Sequence, residues 1–343
     1  MIDLRSDTVT RPTPQMLSAM TQAQVGDDVM ADDPTVQRLQ RELAERGGFE
    51  AGLFFPSGTQ SNLAGLMAHC QRGDEYIVGQ RAHTYKYEGG GAAVLGSIQP
   101  QPIEHASDGS LPLEKIKAAI KPDDFHFART RLLALENTFQ GMVIDADYIR
   151  RAAALAREHG MGVHLDGARI FNACVASNQD LQTMCAPFDS VSVCFSKGLG
   201  APVGSVLLGS NELISRARRW RKVLGGGMRQ SGFLAAACLH AMTYHVQRLA
   251  DDHRRAEKLA AGLAEVDALH VVYQATNMVF VDFAPEDAEP LTRHLQGLGI
   301  AMRGVYGGTT RLVTHLDIDD AAIERVIAGV KQYFSASGAQ GAK

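Results

Sequence analysis

The feature that most restricts the fold is an alternation. Short apolar, β-rich runs are separated by longer stretches of helical periodicity. The candidate strands are Gly52–Phe55, Tyr76–Val78, Ala92–Leu95, Arg131–Leu135, Met161–Leu165, Ser190–Phe195 and Ser205–Leu208. Several are apolar throughout, the pattern of strands covered on both faces. Helices are expected between them at Thr59–Cys70, Ala146–His159 and Asn211–Val223. In Ala146–His159 the residues Ile149, Ala153 and Ala156 recur at helical spacing. Such alternation predicts an α/β fold with a mostly parallel sheet.

After about Tyr244 the pattern changes. A charged helix over Val246–Ala264 precedes strands near His270–Tyr273 and Met278–Phe283. A helix follows at Ala288–Leu298, then strands near Ala301–Val305 and Arg311–Thr314, and a last helix over Asp320–Phe334. This predicts a smaller α+β domain over 246–343 behind a large domain over 1–245. The tail, Ser335 to Lys343, is rich in Ser, Gly and Ala and reads as disordered.

Composition narrows the function classes. The chain has 343 residues, 45% apolar and 21% charged, with a net charge of −4. No global field favours nucleic acid or an anionic membrane. The five cysteines, Cys70, Cys174, Cys185, Cys194 and Cys238, form no CxxC and read as reduced core residues. Met1 to Asp7 carries charges where a signal peptide needs an apolar stretch, so a cytoplasmic location is expected.

Chemistry concentrates at strand ends. Lys197 lies in Ser196-Lys197-Gly198-Leu199-Gly200, directly after a β-like run, and Asp166-Gly167-Ala168-Arg169 ends another. An amine and a carboxylate so placed suit pyridoxal phosphate, the amine holding the aldehyde and the carboxylate the pyridinium proton. A surface turn is the alternative for Lys197. Pro56-Ser57-Gly58-Thr59 opens a helix after a strand and suits a phosphate, or a plain N-cap. His83 follows the strand Tyr76–Val78 and is placed to stack on a ring or to be merely polar. Arg169 is a candidate ligand of the cofactor ring's phenolate oxygen or of a substrate carboxylate, and Arg311 of a substrate carboxylate, with ion pairing as the alternative. The basic run Arg216, Arg218, Arg219, Arg221 and Lys222 reads as a solvated face or an oligomer contact. His159 and His164 do not make a convincing metal spacing, so no metal is expected.

These motifs together resemble the low-specificity L-threonine aldolases. The resemblance runs through Asp3-Leu4-Arg5-Ser6-Asp7-Thr8-Val9-Thr10, Val25-Gly26-Asp27-Asp28-Val29, Ser57-Gly58-Thr59 and His164-Leu165-Asp166-Gly167-Ala168-Arg169. It continues through Cys194-Phe195-Ser196-Lys197-Gly198-Leu199-Gly200 and Gly225-Gly226-Gly227-Met228-Arg229-Gln230. It implies fold type I of the pyridoxal 5′-phosphate enzymes, with a mostly parallel seven-stranded sheet and residues 1–20 near the active site. By resemblance Lys197 carries the cofactor, Asp166 pairs with its ring nitrogen and His83 stacks on the ring. Ser57, Gly58 and Thr59 hold the phosphate, with Arg229 from a neighbouring subunit, and Ser6, Arg169 and Arg311 bind the substrate carboxylate. The implied reaction is cleavage of L-threonine, L-allo-threonine and other L-β-hydroxy-α-amino acids to glycine and an aldehyde, and its reverse. That is an aldehyde-lyase of threonine catabolism and glycine biosynthesis. His83 and His126 are the candidate bases for the hydroxyl proton. A homotetramer built from dimers is the implied assembly. The chain departs from the family at Phe139-Gln140-Gly141 and at Met30, which bears on substrate preference. The rival readings are transamination or β-elimination on the same fold, and a non-catalytic cofactor-binding regulator.

Overall fold

The structure is a computed structural model that describes residues 1–304 and 309–340. Its strands are β1 (Ile2–Asp3), β2 (Ala51–Phe55), β3 (Glu75–Gly79), β4 (Gln99–Ile103), β5 (Thr130–Glu136), β6 (Gly162–Gly167), β7 (Ser190–Cys194), β8 (Ser205–Gly209), β9 (Leu269–Ala275), β10 (Met278–Phe283), β11 (Ile300–Ala301) and β12 (Thr309–Val313). A seven-stranded sheet runs in the order β2-β8-β7-β6-β5-β3-β4. β8 is antiparallel to both its neighbours, and the other pairs are parallel. β12, β10 and β9 form a separate antiparallel sheet.

Two faces of the large sheet are buried by different means. On one, Val163, Leu165, Val191 and Val193 pack with Ile149, Ala152 and Ala156 of the helix Ala146–Glu158. On the other lies the helix Gly58–His69, buried on nearly all sides, as a helix enclosed within a core must be. It packs Leu63, Leu66 and Met67 over Tyr76, Val78 and Leu132.

The amino-terminal segment joins the two sheets. β1 pairs in parallel with β11, through Ile2↔Ile300 and Asp3↔Ala301. Leu4 then accepts from the Val313 N–H at 2.9 Å, and Ile2 and Leu4 lie in the apolar cluster of the carboxyl-terminal part. A few residues later Asp7 is fully buried beneath the large sheet's carboxyl edge.

Several expectations need correction. Ala92–Leu95 is not a strand but lies on the short helix Gly91–Val94 and its cap. The strand there is Gln99–Ile103, whose Pro100 and Pro102 hid it. It is the edge strand, where proline is tolerated because one N–H row has no ladder partner. The helix Gly232–Tyr244 was not anticipated. The last helix continues to Gln340 through the tail expected to be disordered. The strand expected at Ala301–Val305 is the two-residue β11, Ile300–Ala301, and Val305 and residues 341–343 lie outside the described residues. Arg221 is not on a solvated face: it is buried, 2.8 Å from Asp28, and donates to the Phe54 carbonyl at 2.7 Å. All five cysteines are buried and free. No helix among the described residues is long and apolar enough to cross a membrane.

Candidate active site

The site forms where β5, β6 and β7 end beneath the helix Gly58–His69. Parallel strands of a doubly covered sheet present their carboxyl ends on one edge, so side chains far apart in sequence converge there. Asp166 lies within β6 rather than after it, beside Glu136 of β5 and Ser192 of β7. It is buried and accepts hydrogen bonds from Asn62 Nδ2 and the Ala168 N–H, both at 3.0 Å. Lys197 follows β7, and its carbonyl accepts from Thr10 Oγ1 at 2.8 Å. The ammonium charge of Lys197 acts on Asp7, His83 and Glu136. The Asp166 charge acts on His83, Glu88 and Glu136. Lysine and aspartate thus face one common space.

Carboxylates crowd this space, and their proton affinities record it. Burial and the neighbouring Asp166 push Glu136 up to about 7. Burial raises Glu88 as well, against the opposing hydrogen bond of His83. His83 Nδ1 lies 2.8 Å from Glu88 Oε1, and that hydrogen bond raises the imidazole against its burial. The His83 N–H donates to Glu136 at 2.9 Å, which fixes the ring's backbone at the site. Ligand atoms of His83, Glu88 and Asp166 lie within 4.8 Å of one another.

The helix start behaves as an anion seat. Ser57 caps it, accepting from the Gln60 N–H at 3.2 Å, which leaves the N–H groups of Gly58 and Thr59 without intrahelical partners. Ser205 Oγ is buried without a hydrogen-bond partner, 3.6 Å from where a Cβ on Gly58 would stand. A buried hydroxyl beside free N–H groups fits a phosphate oxygen. Gln60 Nε2 donates to the Leu224 carbonyl at 3.1 Å, which brings the Gly225–Arg229 run towards this end. Arg229 itself is exposed and pairs with Asp27 at 2.8 Å in the same chain.

The arginines differ in their freedom. Arg169 is clamped by Asp7 through Nε at 2.8 Å and Nη2 at 2.6 Å. Burial would raise Asp7, but the Arg169 charge and hydrogen bonds, with Lys197 and Arg311, hold it far below the usual carboxylate range. Arg311 comes from β12 of the small sheet, and its Nε is buried with no partner among the described residues. Burial, then the charge of Arg169, lowers it to about 10. Two guanidiniums facing one space, one unmet, suit an incoming carboxylate. Ser6 caps the short turn Asp7–Val9 next to this pair.

Besides Arg229, His126 is a predicted residue that the single chain does not gather in. It is exposed, and its contacts are Asp124 at 2.6 Å and the ring of Phe125. Phe139 is buried and stacked on His105 at 4.0 Å, and Met30 is exposed. Sequence reasoning missed Asp7, Asn62, Glu88 and Glu136 as site residues. Asp7 carries a signal within the Ser6-Asp7-Thr8 motif, Asn62 shortly after Ser57-Gly58-Thr59 and Glu136 at the end of the expected strand Arg131–Leu135, whereas Glu88 carries none.

The fold places the protein in a class: the α/β architecture of fold type I pyridoxal phosphate enzymes, with an amine, a buried carboxylate and an anion seat on one sheet edge. A solved structure of Leishmania major threonine aldolase shares this fold at TM-score 0.83. It is 22% identical and covers 97% of this chain and 100% of its own. The beta-eliminating lyase family matches residues 3–286. A low specificity L-threonine aldolase of Escherichia coli strain K12 is 53% identical over 328 residues, 96% of this chain and 98% of that protein. A probable low-specificity L-threonine aldolase 2 of Arabidopsis thaliana is 44% identical over 345 residues, 97% of each. The chain belongs to the beta-eliminating lyase family and, within it, to the low-specificity L-threonine aldolases.

Proposed function

We propose that this protein cleaves L-threonine, L-allo-threonine and other L-β-hydroxy-α-amino acids to glycine and an aldehyde, and catalyses the reverse addition, with pyridoxal 5′-phosphate. The observation that carries this reading is 53% identity to a low specificity L-threonine aldolase over 96% of the chain. The donor set fits the cofactor. Lys197 Nζ would hold its aldehyde, Asp166 its ring nitrogen, and His83 its ring face. Ser57, Gly58 and Thr59 would hold its phosphate, with Arg229 of a neighbouring subunit. When bound, it supplies an acceptor for the electron pair released from a Cα bond.

The chain's own groups decide which bond breaks. Arg311, with Arg169 and Ser6, grips the substrate carboxylate and so orients Cα. Asp7 holds Arg169 in place and does not touch the substrate. A base removes the β-hydroxyl proton, the carbonyl forms as the Cα–Cβ bond breaks, and a proton delivered to Cα completes glycine. His83 is held at Nδ1 by Glu88, which leaves Nε2 to take that proton, directly or through water. His126 is the second candidate, and its exposure in one chain suits a site completed by a neighbouring subunit.

The same reading makes the assembly a homotetramer built from two dimers in the cytoplasm, with each chain divided into a large domain over 1–245 and a small domain over 246–343. The test is a product assay on purified protein with L-threonine, L-allo-threonine, their D-isomers and L-phenylserine, with and without added cofactor. L-Threonine should give acetaldehyde and glycine without a keto-acid acceptor, and Lys197→Ala should abolish the reaction. A requirement for a keto acid, or a fully active Lys197→Ala variant, would overturn the reading.

A further inference from the structure

Behind Asp166 a file of buried polar groups continues away from the site, between the helix Gly58–His69 and the large sheet. Asn62 Nδ2 donates to Asp166 Oδ2 and to Glu88 Oε1, both at 3.0 Å. Asn62 Oδ1 lies 3.2 Å from His164 Nε2. His164 Nδ1 lies 2.8 Å from Ser190 Oγ, and Ser190 Oγ lies 2.8 Å from His69 Nε2. His164 and Ser190 are fully buried, and His69 lines a surface pocket with Asp189 and Arg216.

Chemistry assigns a direction to every bond in this file. Asn62 faces two carboxylates through one atom, and only its NH₂ can satisfy both. Its oxygen therefore accepts, and His164 Nε2 carries a proton. Burial, and then the facing His69, lower His164 to about 3, so the ring is neutral and Nδ1 is an acceptor. Ser190 must donate to it, and Ser190 can then only accept from His69 Nε2–H. Burial lowers His69 too, to about 4. All the donors point towards Asp166, and their dipoles add.

Two glycines show that space has been kept for the file. A Cβ on Gly65 would stand 3.0 Å from His164 Cε1, and a Cβ on Gly162 would stand 2.8 Å from His69 Nδ1. Neither glycine has the left-handed backbone that would otherwise explain it. They are small because imidazoles occupy the volume.

We propose that His69, Ser190, His164 and Asn62 form a one-way hydrogen-bond relay that stabilises the Asp166 carboxylate and thereby keeps the shared proton on the cofactor's ring nitrogen. It rests on the reading that Asp166 faces that nitrogen. Hydrogen bonds to a carboxylate make it a weaker base, so the relay favours the carboxylate–pyridinium pair over its neutral form. His164 and Ser190 are positioning residues, since they touch neither cofactor nor substrate. Without the Ser190 hydroxyl, His164 Nδ1 loses its donor and the ring is free to invert its tautomer. An Nε2 lone pair would then oppose Asn62 Oδ1 and release the amide.

The experiment is neutron diffraction on crystals of the deuterated holoenzyme, with absorption titrations of wild type, Ser190→Ala and Asp166→Ala. Deuterium is expected on His164 Nε2 and absent from Nδ1, with the Ser190 deuteron aimed at His164. Ser190→Ala should weaken pyridoxal 5′-phosphate binding about twofold to tenfold, the worth of one hydrogen bond. It should also shift the pH midpoint of the cofactor's absorption band. His83, Glu88 and Glu136 also face Asp166 and remain unchanged in that variant. Deuterium on His164 Nδ1, or a Ser190→Ala holoenzyme matching wild type in affinity and midpoint, would overturn the relay. If Asp166→Ala also left the absorption band unmoved, the cofactor-seat reading would fail instead.

Discussion

Replacing Asp7 with asparagine should separate stability from chemistry at this site. Asp7 is fully buried, and Arg169 is its bidentate partner at 2.8 and 2.6 Å. The Asp7→Asn side chain keeps the volume but turns an NH₂ towards a guanidinium N–H, leaving a buried cation without its hydrogen-bonded counter-charge. Removing one member of a buried pair costs about 3–5 kcal/mol. With a urea slope at or above about 3 kcal/mol per M for a chain of this size, the unfolding midpoint should fall by roughly 1 M. The measurement is urea unfolding by circular dichroism at fixed protein and saturating cofactor. Asp7→Leu combined with Arg169→Met should recover most of the stability, because the unpaired charge is gone, but not threonine cleavage, because on the proposed reading a carboxylate ligand is gone. The sign with pH follows from the lowered Asp7 proton affinity. The pair's contribution is complete above the unfolded carboxyl value of 3.8 and is lost as pH falls below it. An Asp7→Asn variant losing less than about 1 kcal/mol would refute the view that the Arg169 charge depends on Asp7.

Arg311→Lys keeps the charge but loses the planar fork, so KM for L-threonine should rise about tenfold to a hundredfold with a smaller change in kcat, read from steady-state kinetics. His83→Ala and His126→Ala, assayed on L-threonine and L-allo-threonine, should slow at least one isomer each; unchanged rates throughout would remove both as bases. Glu88→Gln removes the hydrogen-bonded carboxylate that raises His83, so the acid limb of the kcat/KM profile should move to lower pH, where His83 is now neutral. Gly162→Ala should press on His69 and destabilise the fold by about 1–3 kcal/mol, visible as a lower urea midpoint.

The candidate site's strand-end residues were legible in the sequence, and the groups that brace them were not. Lys197, Asp166 and Ser57–Thr59 were legible because each sits at the junction of a strand with a glycine-rich turn or helix, a local pattern. Asp7 and Arg169 are 162 residues apart, and Asn62 and His164 are 102 apart, so no local window joins them. In β6 and β7 the face beneath the helix carries His164, Asp166, Ser190 and Ser192. Alternation was present there, but the buried polar face was hidden by burial on the other side as well. The edge strand Gln99–Ile103 was masked by its prolines, and the apolar Ala92–Leu95 nearby imitated it.

The pairing of β1 with β11 has a consequence in time. Ile2 is made before the seven-stranded sheet, but its partner Ile300 and the clasp from Val313 to Leu4 are made after it. Residues translated in between can lay down the seven-stranded sheet while the leading segment waits unpaired. Asp7 would then reach Arg169 only as that segment docks. On this ordering the large sheet forms before the Asp7–Arg169 corner, and that corner is closed by a segment that lies amino-terminal to the whole sheet.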